Sequence, residues 1–247
     1  MSKTYSSRRF FLQATAAAGG GLLLACIFKP AQLVEAHSAD PVAKDIPLNA
    51  WLRISPDDRV TIISSQAEMG QGIMTTLPAV LAEELGADWT RVQLENAPAD
   101  PTYRNPRINW QFTGNSESTT AFYDVMRTMG ASARQMLIAA AADTWRVQPE
   151  SCLAENGFVI HRSSGRRFKF GDLAEAAARK TAPSNPPLKP PGQWRLIGKS
   201  LPRVETRSKV NGTAIFGLDF TVPGMVYAAV RTSPVFGGKV EIGRAHV

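Results

Sequence analysis

Short apolar runs open the interpretable part of the chain, and two longer stretches at helical spacing follow them. Asn49 to Ile54 and Val60 to Ser64 read as strands joined by the turn Ser55-Pro56-Asp57-Asp58, where Pro and Asp supply the geometry. After a short loop holding Gly70, Gln71 and Gly72, apolar residues recur at Ile73, Leu77, Val80, Leu81 and Leu85, which predicts a helix. Trp89 to Ala97 alternates as a strand with Val92, Leu94 and Ala97 inward, and the Pro-, Arg- and Asn-rich loop Asp100 to Asn109 places Tyr103, Arg104 and Arg107 at a solvated surface. Phe122, Val125, Met129, Ala133, Met136, Leu137 and Ala140 then share one face of a long helix running to about Trp145. Beyond it come a turn at Glu155-Asn156-Gly157, a strand Phe158 to His161 and a short helix Phe170 to Arg179. The order predicts an α+β fold over residues 45–180, with mixed sheets and packed helices. Five prolines between Lys180 and Trp194 mark residues 181–194 as an extended linker, and residues 195–240 read as the start of a second domain, with a strand at Met225 to Arg231.

Composition narrows the class. A chain of 247 residues, 44% hydrophobic, can bury a core. The formal charge is +7, but residues 1–36 hold Lys3, Arg8, Arg9 and Lys29 against Glu35, which leaves 24 basic and 20 acidic residues elsewhere. That excess is scattered and forms no basic face, so nucleic acid is not an expected partner. Cys26 and Cys152 are too few for a disulfide framework or a Cys-ligated iron–sulfur cluster held by this chain alone. His37, His161 and His246 lack metal-ligand spacing and read as surface residues; no metal ligands and no catalytic residues are assigned.

The N-terminus carries an address. Ser7-Arg8-Arg9-Phe10-Phe11-Leu12 precedes an uncharged stretch, Ala14 to Phe28, the layout of an export signal, and the twin arginine makes it a Tat-type signal over residues 1–36 with cleavage after Ala36. The apolar span is too short for a stable transmembrane anchor, which needs about 20 residues. Periplasmic localisation follows. Leu23-Leu24-Ala25-Cys26 offers a second-ranked alternative, lipid anchoring at Cys26.

Two loops hold the candidate chemistry. The turn with Gly70, Gln71 and Gly72 stands at a helix N-terminus, where unpaired N–H groups and the positive dipole end favour an anion and the glycines admit close approach. Gln71 adds one acceptor and two donors. Phe112-Thr113-Gly114-Asn115-Ser116-Glu117-Ser118-Thr119 stands before the second helix, and its Thr, Ser and Asn side chains suit either capping or a grip on another part of one extended ligand. On spacing alone, ordinary capping is the plainer reading of both.

The wording of the motifs shifts that balance. Glu68-Met69-Gly70-Gln71-Gly72 with its following helix resembles the molybdenum hydroxylase family, the relatives of xanthine dehydrogenase and aldehyde oxidoreductase, and within it the isoquinoline 1-oxidoreductase branch. Thr113, Gly114, Ser116, Glu117 and Ser118 fall on a stretch similar to the family's pterin-contacting Thr-Gly-Gly-Ser-x-Ser, with Asn115 where a glycine is frequent. If that position needs positive φ, Asn is the next best tolerated residue. Ile197-Gly198, Pro202-Arg203, Lys209-Val210-Asn211-Gly212-Thr213-Ala214 and Pro223-Gly224-Met225 follow a further order typical of the large subunit. The resemblance covers residues 45–240 and the opening part of a longer subunit, an incomplete molybdopterin-binding domain. It implies Gly70, Gln71, Gly72, Thr113, Gly114, Asn115, Ser116, Glu117 and Ser118 as contacts of a molybdopterin cytosine dinucleotide carrying molybdenum. It also implies hydroxylation of an N-heterocycle or an aldehyde with oxygen drawn from water. The partner it implies is a small [2Fe-2S] iron–sulfur subunit, with a c-type cytochrome as a further one. The family's general-base glutamate has no counterpart in this chain.

Two further expectations complete the reading. Glu241 to Val247 coincides with one frame of a common sequencing adapter, so residues 241–247 read as a non-native tail; natural coding sequence continuing past Val247 would overturn that. The competing function class is an exported, non-catalytic module binding an anion or a partner.

Overall fold

The computed structural model describes residues 46–239. The export signal, Cys26, His37, His246 and the tail at 241–247 lie outside the described residues. The chain opens with β1 (Ile46–Asn49), β2 (Leu52–Ile54) and β3 (Val60–Ser64), an antiparallel meander. Then α1 (Ile73–Leu85) carries the chain over to β4 (Val92–Asn96), which lies parallel to β3 and completes a mixed sheet of order β1-β2-β3-β4. The long α2 (Ser118–Trp145) follows, then β5 (Cys152–Glu155), β6 (Phe158–His161) and β7 (Arg167–Lys169), a second antiparallel sheet, and α3 (Phe170–Ala178). The fold is α+β. No helix among the described residues is long and apolar enough to cross a membrane.

The core forms where the periodic residues converge. Leu52, Ile54 and Ile62 of the sheet, Leu77, Leu81 and Leu85 of α1, and Phe122, Met126 and Leu137 of α2 are almost fully buried. Each contributes about 1.5–3 kcal/mol relative to an exposed side chain. At the helix crossing a Cβ on Gly130 would stand 2.4 Å from the Leu81 carbonyl oxygen, so only glycine permits this approach of α2 to α1.

Several expectations need correction. The single strand Asn49 to Ile54 is broken into β1 and β2, because the Asn49 side chain accepts from the Trp51 N–H (2.9 Å) and turns the chain back on itself. The first residues of the strand at Trp89 form a 3-10 turn, Trp89–Arg91, capped by Asp88, and Val92, Leu94 and Ala97 are only half-buried because β4 lies at the sheet edge. Tyr103 is buried, with its hydroxyl on the Ala50 carbonyl (2.7 Å) and its ring edge-on to Trp51. His161 is buried in β6, its ring nitrogens paired with Ser164 (2.7 Å) and Ser163 (3.1 Å). Cys152 is buried at the start of β5. Met225 to Arg231 forms no strand: it pairs with no neighbour among the described residues, and Val226, Tyr227 and Val230 are exposed. Residues 195–239 hold one short helix, α4 (Thr206–Val210).

Candidate functional site

The two loops singled out in the sequence meet. β3 ends at the buried Ser64, whose hydroxyl accepts from the Gln66 N–H (3.3 Å), and Gln66 turns inward. Its amide nitrogen donates to the Phe112 carbonyl (3.3 Å), and its amide oxygen accepts from the Ser118 hydroxyl (2.7 Å). One residue on, the Ala67 N–H donates to Thr113 Oγ1 (2.9 Å). Three hydrogen bonds therefore tie the Gly-Gln-Gly loop to the Thr-Gly-Asn-Ser loop as one ledge above the first turns of α1 and α2.

Within the first loop the expected anion position is taken by the chain itself. The Glu68 carboxylate accepts from the N–H groups of Gly70 (2.8 Å), Gly72 (3.0 Å) and Met74 (3.1 Å), and pairs with Arg203 (2.8 Å). Burial alone would push its pKa up; the three N–H donors and the guanidinium outweigh that and hold it below the ordinary carboxylate value. A phosphate meets these donors only by displacing Glu68, which corrects the expectation of unpaired N–H groups in this loop. Gln71 is also turned onto its own loop, accepting from the Met69 N–H (2.6 Å) and donating to the Ala67 carbonyl (2.8 Å). Gly70 and Gly72 adopt φ of 103° and 86°, and no atom lies within 4 Å of a Cβ built on Gly70. The main chain there is open to close approach.

The second loop is built differently. Asn115 and Ser116 are both left-handed, at φ 53° and 55°, so Asn does occupy a position favouring glycine. Gly114 lies under the Phe112 ring, which a Cβ would approach to 2.7 Å. The Glu117 carboxylate is held by the side-chain amides of Asn105 (2.7 Å) and Asn115 (3.1 Å), and no side chain caps the helix it precedes. The first N–H groups of α2 lack intrahelical acceptors by construction. A cavity of about 310 Å³ adjoins both starts, lined by Gly72, by Thr75, Thr76, Ala79 and Val80 of α1 and by Thr119 and Tyr123 of α2. Its remaining wall comes from residues 196–203, among them Lys199 and Arg203. A larger cavity of about 870 Å³, around Trp89, Glu155 and Trp194, contains no residue of either loop. Beside Arg203, one oxygen of the buried Glu205 carboxylate has no partner among the described residues.

Sequence reasoning missed Gln66, Glu68 and Arg203. Glu68 had a detectable signal, an acidic residue a few positions ahead of a helix's free N–H groups. Gln66 and Arg203 had none, because their partners lie 52 and 135 residues away.

This chain belongs to the family described as Molybdopterin cofactor-binding domain, which it matches over residues 3–229. It is similar to the beta subunit of isoquinoline 1-oxidoreductase from Brevundimonas diminuta, 36% identical over 84% of this chain and 31% of that protein. It is also similar to a membrane-bound aldehyde dehydrogenase [pyrroloquinoline-quinone] of Gluconacetobacter polyoxogenes, 32% identical over 95% of this chain and 30% of that protein. A nicotinate dehydrogenase subunit of Pseudomonas putida is 28% identical over 88% of this chain and 18% of its own length. The chain thus spans about a third or less of the relatives it matches. The open main chain over Gly70, the joined loops and the adjoining cavity fit a molybdopterin group.

Proposed function

We propose that this chain is part of a molybdopterin-dependent oxidoreductase subunit that hydroxylates an N-heterocycle or an aldehyde, and that it supplies two of the loops that hold the cofactor. The observation that carries the reading is the ledge itself: the Ala67–Thr113 and Gln66–Ser118 hydrogen bonds hold both loops beside one cavity. When bound, the cofactor supplies the two-electron redox chemistry at molybdenum. This chain's own residues bind and orient it. Gly70 and Gly72 expose main chain, and the uncapped start of α2, with the Ser116 hydroxyl and the Ser118 N–H, takes a phosphate. Gly114, through the Phe112 ring, and Gln71, through its own loop, keep the two backbones in shape.

The dinucleotide is the cytosine form in this reading, and electrons leave through a small [2Fe-2S] subunit. Ser7-Arg8-Arg9-Phe10-Phe11-Leu12 and the apolar stretch behind it support export by the Tat route, which carries folded, cofactor-loaded proteins. Replacing Arg8 and Arg9 by lysine is expected to hold the protein in the cytoplasm, read by cell fractionation; undiminished export would remove the Tat assignment.

The second relative's name carries a different cofactor, pyrroloquinoline-quinone. Acid extraction of the intact subunit separates the readings. Molybdenum, a pterin and cytidine monophosphate in equal amounts are expected; pyrroloquinoline-quinone, or neither cofactor, would defeat the proposal, the latter in favour of an exported binding module.

A further inference from the structure

The cavity beside the two loops has a wall drawn from the proline-rich segment. Residues 187–205 run along α1 from its last turn back to its first. At the far end they meet Glu83 and Glu84, and at the near end the Val204 N–H donates to Thr75 Oγ1 (3.1 Å) and Arg203 pairs with Glu68 (2.8 Å). Between these fastenings Leu196, Ile197, Lys199 and Leu201 line the cavity.

The far fastening is made of charge. Glu83 and Glu84 are 2% and 0% exposed, where an unpaired carboxylate would be costly. One Glu83 oxygen accepts from the Arg195 and Leu196 N–H groups, both at 2.6 Å, and the other from Lys189 Nζ (3.3 Å). Glu84 accepts from the Lys189 N–H (2.9 Å), from Arg127 (2.6 Å) and from Arg134 (3.2 Å). Both arginines reach on to the segment, Arg127 to the Lys189 carbonyl (2.7 Å) and Arg134 to the Pro187 carbonyl. Neither glutamate lines the cavity.

Buried ion pairs of this kind add little net stability compared with well-packed apolar residues, and one attested use of them is to set register. This segment has no strand ladder to hold its register, only the single 3-10 turn Pro191–Gln193. We propose that Glu83 and Glu84 are positioning residues for the cofactor cavity: they lock the register of residues 187–196 and so place the wall at 196–203 against the first turns of α1 and α2. The inference rests on the reading of that cavity as the cofactor site.

The test uses the intact subunit with Glu84→Gln, and with Lys189→Met, which alters only the segment and covers the case in which the first variant does not fold. Two quantities are read: hydrogen exchange of the amides at positions 189, 195 and 196, and pterin retained after gel filtration. Expected are amide exchange faster by about tenfold, with β3 and α1 unchanged, and pterin retention lower by about tenfold in protein that remains folded. A lower melting temperature with full pterin content would reduce the glutamates to a structural role and overturn the proposal. Unchanged exchange would overturn the lock itself. A wild-type subunit that carries no pterin would overturn the cofactor reading and this proposal with it, while the exchange data still report on the lock.

Discussion

The first turns of α1 and α2 each follow a loop that carries a glycine and an acid, yet their free N–H groups end differently. At α1 the loop supplies its own anion: Glu68 takes three N–H donors and is held from outside by Arg203. At α2 the preceding acid, Glu117, is drawn away by Asn105 and Asn115, and no side chain caps the helix. One helix start is satisfied from within the chain; the other carries no side-chain cap. A helix N-terminus is therefore a binding site only where the chain has not already filled it.

The largest disturbance of this pair is expected from Gly130→Val. It forces α2 away from the Leu81 carbonyl, separates the two starts and costs about 3 kcal/mol, read as a lowered denaturation midpoint. Next, Glu68→Ala strips the α1 loop of its acceptor and is expected to cost about 2 kcal/mol. It also makes the two helix starts alike. Pyrophosphate should then raise the melting temperature of the variant more than that of the wild type; equal shifts would mean that Glu68 does not occupy an anion site.

Acid provides the same disturbance without mutation. Because the folded-state pKa of Glu68 lies below its ordinary value of 4.5, its stabilising contribution is fully present above that pH. It is lost as pH falls below 4.5 through the folded value, so pH titration of stability should show a wild-type loss in that window that Glu68→Ala lacks. Last, Ser118→Ala removes the bond to Gln66 and loosens the ledge by about 1 kcal/mol, with pterin release faster in the intact subunit. Unchanged release would separate the ledge from cofactor binding.

Much of the fold was legible because its signals are local. The helical spacing of Ile73, Leu77, Leu81 and Leu85 and of Phe122, Ala133, Met136 and Leu137 foretold buried faces that the structure confirms. Where local reading failed, a distant partner decided. The Met225 to Arg231 pattern has no neighbouring strand among the described residues, and Tyr103, in a polar loop, is drawn inside by Trp51. The same division runs through the site. Gly70, Gly72 and Asn115 were readable from backbone chemistry. Gln71 was correctly placed in the loop, but the loop absorbs its side chain.

By itself the sequence determined the α+β order of elements, the two glycine-bearing turns ahead of helices and the resemblance of their motifs to a cofactor-binding family, because propensity and periodicity act over a few neighbouring residues. Only the tertiary structure decided that Gln66 and Thr113 join the turns, that Glu68 rather than a ligand fills the first, and that two buried glutamates hold a proline-rich segment against the cavity. Those outcomes depend on hydrogen bonds and ion pairs between residues about 50 to 135 positions apart, whose formation depends on the packed core that brings them within reach.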